Sequence, residues 1–156
     1  MLIDNAIKIK IYIEIGQFNK ALDELQLSEI LIQNYKTNTT KYHRYTIDNL
    51  LLKAKLYDNE LQDENVKKNA LIFYRKIIET YQECLEIDIV LDILDRCIWL
   101  STSREDRDED RKKFTTLFSN DNIIKENSHL HNKFAIKQLI HTLLLNKSSD
   151  TQLDLD

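Results

Sequence analysis

The side chains best suited to metal binding or nucleophilic chemistry are two cysteines and four histidines. Cys84 and Cys97 lie 13 positions apart in apolar helical patterns, too far along one helix to form a disulfide. His129 and His131 are two positions apart, and such residues point to different sides of a helix. His141 falls roughly on the face of His129, but no acid or thiol at close spacing completes a ligand set. We therefore expect two buried, reduced thiols and ordinary polar histidines at the helix edge.

Other catalytic patterns are equally incomplete. A phosphate-binding loop needs several glycines, and this chain has one, Gly16. Glu126 and His129 match the Glu-x-x-His spacing of di-iron bundles once, where two copies are needed. The sequence thus predicts no catalytic residue, no metal ligand and no cofactor, and we expect a protein that is not an enzyme. An enzyme site assembled from distant residues would need a deep pocket that joins Cys97 or a histidine to carboxylates.

The composition of the chain limits the classes of partner that it is expected to bind. The chain has 156 residues, 31% of them charged and 42% hydrophobic, with a formal net charge of -4. Nucleic acids and anionic lipids are bound by clustered Lys and Arg, so this balance disfavours direct binding to either. No apolar run reaches the roughly 18 residues of a membrane span. Asp4 stands where a secretory signal would carry basic residues, so we expect an intracellular protein of the cytoplasm or nucleus.

The elements that must position these side chains are helices, because the chain contains no proline and a single glycine. One segment is ambiguous, since residues 8–15 alternate polar and apolar as a half-buried strand would. A helix instead places Ile3, Ile7, Ile11 and Ile15 on one face, with Ala6, Ile9 and Ile13 beside it. We choose the helix, because no second segment alternates in this way and a lone strand would leave its backbone unpaired.

The periodicity predicts an all-α fold of six or seven helices, stacked as antiparallel pairs in a short solenoid or bundle. We expect one domain over residues 1–147 and a disordered acidic tail over residues 148–156. The fifth helix, about residues 85–100, is apolar on more than one side and is expected in the middle of the packing, with Trp99 in the core. An exposed Trp99 would instead suit an interface anchor. In the last helix we expect an inward set consisting of Leu130, Phe134, Leu139, Ile140, Leu143 and Leu144.

The first two helices resemble a tetratricopeptide (TPR) repeat. The spacing of that repeat is matched by Tyr12, Gly16, Phe18, Ala21 and Leu25, with Ser28 as the later small residue. Residues 41–82 form a looser copy, with a longer connection that lacks glycine. The remainder shows only generic helix pairs.

This resemblance implies a non-enzymatic scaffold, adaptor or complex subunit that binds a partner segment in a helix-lined groove. In the family the first helix of each pair lines the inner surface. The candidate contact residues are therefore Asn5, Tyr12, Tyr42, Tyr45 and Lys53. The expected partner is a protein or peptide, or a second copy of the chain that covers an exposed end of the stack. The alternative is a helical subunit of a nucleic-acid-associated complex, which would show a continuous basic stripe.

Overall fold

A computed structural model describes the backbone of residues 2–153 and the side chains of residues 2–144. Every regular element in this part of the chain is helical, which confirms the all-α prediction. The chain divides into two compact units, Met1–Cys84 and Leu85–Asp156, although the sequence analysis treated residues 1–147 as one domain. Each unit is described by itself.

The first unit contains five α-helices and two short 3-10 segments among its described residues. The helices are α1 (Leu2–Glu14), α2 (Phe18–Ile32), α3 (Thr39–Tyr57), α4 (Glu64–Lys67) and α5 (Ala70–Tyr81), and the 3-10 segments are Gln33–Tyr35 and Gln82–Cys84. α2 packs against both α1 and α3, and α3 packs against α5. The connection between α1 and α2 is short, and the two helices pack against each other. The chain therefore reverses direction between them, and they form an antiparallel pair.

The turn between α1 and α2 forms because residue 16 is a glycine. Gly16 adopts φ +74°, the left-handed region that other residues rarely enter. The Gln17 N–H donates to the Tyr12 carbonyl at 2.8 Å, and the Gly16 N–H donates to the Ile13 carbonyl at 3.2 Å. These two hydrogen bonds are the Schellman pattern that ends a helix. The predicted bend at Gly16 is thus confirmed.

The opening segment is a helix, as predicted, because its packing follows helical spacing. Ile9 and Ile13, four residues apart, are buried against α2 and α3. The core around them consists of Ile9, Ile13, Ala21, Leu25, Leu52 and Leu56. The four isoleucines predicted to share one face do so by spacing, and that face is exposed.

Aromatic contacts join α3 to α5 along their length. The rings of Tyr57 and Phe73 stack with centroids 5.5 Å apart, and His43 meets Tyr81 edge-on at 5.5 Å. The first contact joins the end of α3 to the start of α5, and the second joins the start of α3 to the end of α5. The two helices are therefore antiparallel. Cys84 is exposed, so its predicted burial is wrong: it lies in a 3-10 turn after α5 and not on an inward helix face.

The second unit contains four α-helices among its described residues: α6 (Ile87–Leu100), α7 (Arg104–Asn120), α8 (Asn122–Glu126) and α9 (Ser128–Leu153). The predicted number of six or seven helices is close to the nine in the described residues, since α4 and α8 are only four and five residues long. α9 extends to Leu153, into the segment predicted as a tail. Residues 154–156 lie outside the described residues, and the disordered tail stays a prediction.

α6 is the most buried helix of the second unit, as its all-round apolar sequence predicts. Leu91, Leu94, Cys97 and Ile98 are at most 1% exposed. Trp99 is 44% exposed, so its predicted core position is wrong. One residue beyond Ile98 turns the side chain about 100° around the helix, away from the most buried face.

The charged residues of α7 lie mostly at the surface of the helix, although Asp110 is buried. Ser103 caps its first turn, and its Oγ accepts a hydrogen bond from the Asp106 N–H. Two ion pairs at a spacing of four, Asp108–Lys112 and Glu109–Lys113, lie along the helix, each at 3.2 Å.

Candidate functional site

The first unit carries a groove between α1 and α3 with α2 at its base. Its cavity volume is about 170 Å³. The apolar lining consists of Leu2, Ile3, Ala6, Ile7, Ile9, Ile32 and Leu52, and the polar lining of Lys10, Ser28, Tyr45, Asp48 and Asn49. Binding sites combine an apolar surface with a few polar groups in this way, and this groove does so on a small scale.

Helical spacing places the groove residues. Ile3, Ile7 and Lys10 recur at intervals of four and three along α1 and therefore project from one side of it. Tyr45 and Asp48 follow the same spacing on α3. The two helices thus present their matching sides to the same space.

The polar side chains deep in the groove are partly tied to α2. Asn49 is 6% exposed, and its Nδ2 donates to Glu29 Oε1 at the long distance of 3.5 Å. Ser28 is also buried. Buried polar groups of this kind can orient a bound segment by hydrogen bonding, while the apolar lining supplies most of the contact area.

Asp48 lies at the rim of the groove beside two cations. Partial burial raises the pKa of its carboxyl above the ordinary value, although the positive charges of Arg44 and Lys10 act in the opposite direction. The rim therefore combines an acid with two bases and does not present a single sign of charge.

One of the five predicted contact residues lines this groove. Tyr45 does so, with its ring centroid 4.9 Å from that of Tyr35. Asn5 is half-buried on α1 and is not among the lining residues. The roles of all five residues stay predictions.

The other three lie elsewhere in the first unit. Tyr12 packs against the core between α1 and α2, and Tyr42 is half-buried near the start of α3. The Nζ of Lys53 donates a hydrogen bond to Glu29 Oε1 at 2.9 Å. The same Nζ lies 5.3 Å from the centre of the Phe73 ring. All five predicted residues lie on α1 and α3, the helices that flank the groove, but Ile3, Ile7, Asp48 and Asn49, which also line it, were not among them. The signal for the isoleucines was their spacing of four along α1.

The second unit contains a polar cluster between α6 and α9. His141 Nε2 lies 2.7 Å from Asp95 Oδ1, and Lys137 Nζ lies 3.0 Å from Asp95 Oδ2. Lys137 also contacts Asp92 at 3.2 Å, and Lys133 reaches the same carboxylate. Two acids of α6 thus meet two lysines and a histidine of α9.

His141 is completely buried, which overturns its prediction as an ordinary edge histidine. The Phe114 ring meets the His141 ring edge-on, with centroids 4.9 Å apart. The Nδ1 atom of His141 has no hydrogen-bond partner among the described residues. Burial raises the pKa of Asp95, but hydrogen bonds from His141 and Lys137, together with their charges, lower it more, so the net shift is downward. Since His141 has no exposed surface, this pair ties α9 to α6 and offers no open face to a substrate.

The side of α9 that faces inward also differs from the prediction. Phe134 is buried, whereas Leu139, Ile140 and Leu143 are exposed. Lys137 and His141 turn toward α6 because Asp92 and Asp95 lie there, so these apolar residues point outward. His129 and His131 are exposed. Within the part of the chain that the structure describes, no group of three His, Cys, Asp or Glu residues is placed to hold a metal ion.

The fold and the groove define an all-α protein built from packed helix pairs. Comparisons with protein-family models, with curated proteins and with solved structures find no match for the chain. Of the described helices, none is both long enough and apolar enough to span a membrane.

Proposed function

We propose that the chain is a non-enzymatic interaction module, an adaptor or complex subunit, that binds a segment of a partner protein in the groove between α1 and α3. The groove itself carries the proposal. It is concave and mostly apolar, and polar side chains of α2 and α3 lie at its base and rim. An amphipathic helix or an extended peptide fits such a surface, with its apolar side chains directed into the cavity.

The order of the helices supports a TPR-like arrangement. α1 pairs with α2, α3 pairs with α5, and α2 contacts α3. The first helices of the two pairs, α1 and α3, then line the groove, as the first helices of such repeats do. The second pair departs from the pattern, because residues 58–69 contain α4 and no glycine.

The groove also indicates the chemistry of the bound segment. Ile3 and Ile7 at the α1 rim and Leu52 on α3 favour aliphatic or aromatic side chains of the partner. The mixed rim of Lys10, Asp48 and nearby Arg44 favours a partner with both signs of charge over a strongly basic or acidic one.

The experiment compares tagged full-length chains purified from the native source. Ile3 is 72% exposed at the groove, and Ile123 is 67% exposed in the second unit, so Ile3→Lys and Ile123→Lys are matched surface changes. We expect a protein that co-purifies with the wild type and with I123K, and that is reduced roughly tenfold or more with I3K.

A photo-crosslinking amino acid at position 45 locates the contact. The expected product joins position 45 to that same protein, and a crosslinker at the exposed position 109 of α7 does not form it. A partner that binds I3K as well as the wild type would contradict the groove as the binding surface.

A further inference from the structure

An exposed row of four isoleucines runs the length of α1. The row, here called the isoleucine ridge, consists of Ile3, Ile7, Ile11 and Ile15, which are 72%, 52%, 49% and 57% exposed. Ile15 belongs to it because its N–H still donates to the Ile11 carbonyl at 3.0 Å, beyond the last residue of α1. Single exposed apolar residues are ordinary, whereas a contiguous row marks an interaction surface.

The geometry of the ridge suits another helix. Residues at intervals of four form one of the side-chain rows that pack into the grooves of a facing helix. The side chains are aliphatic and β-branched, which keeps them stiff and lowers the entropic cost of ordering them on binding.

The charges beside the ridge indicate which helix that is. Lys10 and Glu14 follow one flank, while Asp4 and Lys8 follow the other. Each flank holds one acid and one base four residues apart, so the surface is neutral and complementary to its own reversed copy. A partner of single charge sign would meet a repelling residue on each flank.

We propose that Ile7, Ile11 and Ile15 of the isoleucine ridge form the interface of a homodimer, in which α1 packs antiparallel against α1 of a second copy. A two-fold axis close to Ile11 brings Ile11 against its own counterpart and Ile7 against Ile15 of the second copy. In antiparallel helices the same flanks face each other, so Lys10 lies opposite Glu14 of the second copy, and the pair occurs twice.

This inference does not rest on the proposed function. Ile7 and Lys10 belong to both surfaces, whereas the axis near Ile11 leaves the groove residues Leu2, Ile3 and Tyr45 outside the α1–α1 contact. Ile3→Lys therefore tests the groove and Ile11→Glu tests the dimer, so each proposal can fail without the other.

The first test measures the mass of the full-length chain by sedimentation over a range of concentrations. We expect the mass to rise from 18.6 kDa toward twice that value. Ile11→Glu raises the dimer dissociation constant roughly 100-fold, because it places two carboxylates at the centre of the contact. The matched control Ile123→Glu leaves the dissociation constant unchanged.

The second test uses charge exchange and establishes the register. K10E makes the Lys10–Glu14 flank wholly acidic, and E14K makes it wholly basic, so each variant alone is expected to be monomeric. An equimolar mixture is expected to form a heterodimer of one copy of each variant. Circular dichroism of each variant checks that its helix content is that of the wild type.

Three results would overturn the proposal. One is a wild-type chain that stays at 18.6 kDa at all concentrations, which would assign the ridge to a different protein. Another is a dimer that persists in I11E. The third is a mixture of K10E and E14K that dimerises no better than either variant alone, which excludes the antiparallel register even if I11E fails to fold.

Discussion

His141 and Asp95, 46 residues apart in sequence, form a buried pair in which Nε2 of the imidazole lies 2.7 Å from Oδ1 of the carboxylate. Lys137 occupies the other carboxylate oxygen, Oδ2. These contacts determine which side of α9 faces α6. A polar pair thereby selects the packing of a helix whose apolar residues lie on several sides.

Loss of the Asp95 charge should destabilise the second unit. Asp95→Asn removes one charged acceptor from a buried network and leaves Lys137 and His141 with a weaker partner. We expect the free energy of unfolding to fall by about 2–4 kcal/mol, measured by urea denaturation. The control is Glu109→Gln, which breaks an exposed ion pair with Lys113 and is expected to change stability by less than about 0.5 kcal/mol. Equal effects of the two substitutions would contradict the importance of the buried pair.

The lowered pKa of the Asp95 carboxyl predicts how the stability of the protein depends on pH. The pKa of Asp95 is lower in the folded protein than its ordinary value of 3.8, so near that pH the unfolded chain holds more protons. The stabilisation is complete above pH 3.8 and is lost as the pH falls through the lower, folded-state pKa. Urea midpoints from about pH 5 to about pH 2.5 should fall more steeply for the wild type than for D95N. Parallel curves for the two proteins would show that Asp95 does not contribute.

Gly16→Ala tests the turn that reverses the chain after α1. A side chain at φ +74° is strained, and the added Cβ would lie 3.2 Å from Cδ1 of Leu61. We expect a loss of about 1–2 kcal/mol in the free energy of unfolding, read from thermal or urea denaturation. Asn19→Ala, at an exposed position in the first turn of α2, is the control and should change stability by less than about 0.5 kcal/mol. An unchanged midpoint for G16A would mean that the turn adopts another conformation.

The two cysteines should differ in reactivity toward a thiol reagent. Cys84 is exposed and is expected to react at once in the native protein, whereas Cys97 is 1% exposed and should react only after unfolding. Cys84→Ser should abolish the rapid phase and leave the slow one. Two rapid phases in the native wild type would contradict the burial of Cys97.

Local chemistry accounts for several of the helix starts. Asn38, Asp63, Ser103 and Asp121 each accept a hydrogen bond from a backbone N–H three residues later, so the start of each helix is encoded within one turn of sequence. Residues 8–15 alternate as a strand would, and the helix was predicted there because a lone strand would have no partner for its backbone.

Which side of α9 faces inward depends on residues that are distant in sequence. The sequence analysis placed Leu139, Ile140 and Leu143 inward and His141 at the edge, and the structure reverses both. Hydrophobicity alone favours the leucines, but Asp92 and Asp95 on α6 pair with Lys137 and His141, and burying Asp95 without partners would cost more. No local pattern reports a partner more than 40 residues away.

The sequence by itself therefore determined an all-helical chain with a glycine turn at residue 16 and capped helix starts, because those features depend on neighbours within a few residues. The tertiary structure alone decided that Tyr45 meets Ile3 and Ile7 across a groove, that His141 is buried, and that Trp99 is exposed. These outcomes depend on which side chains other helices bring near, and that arrangement comes from the packing of the whole unit.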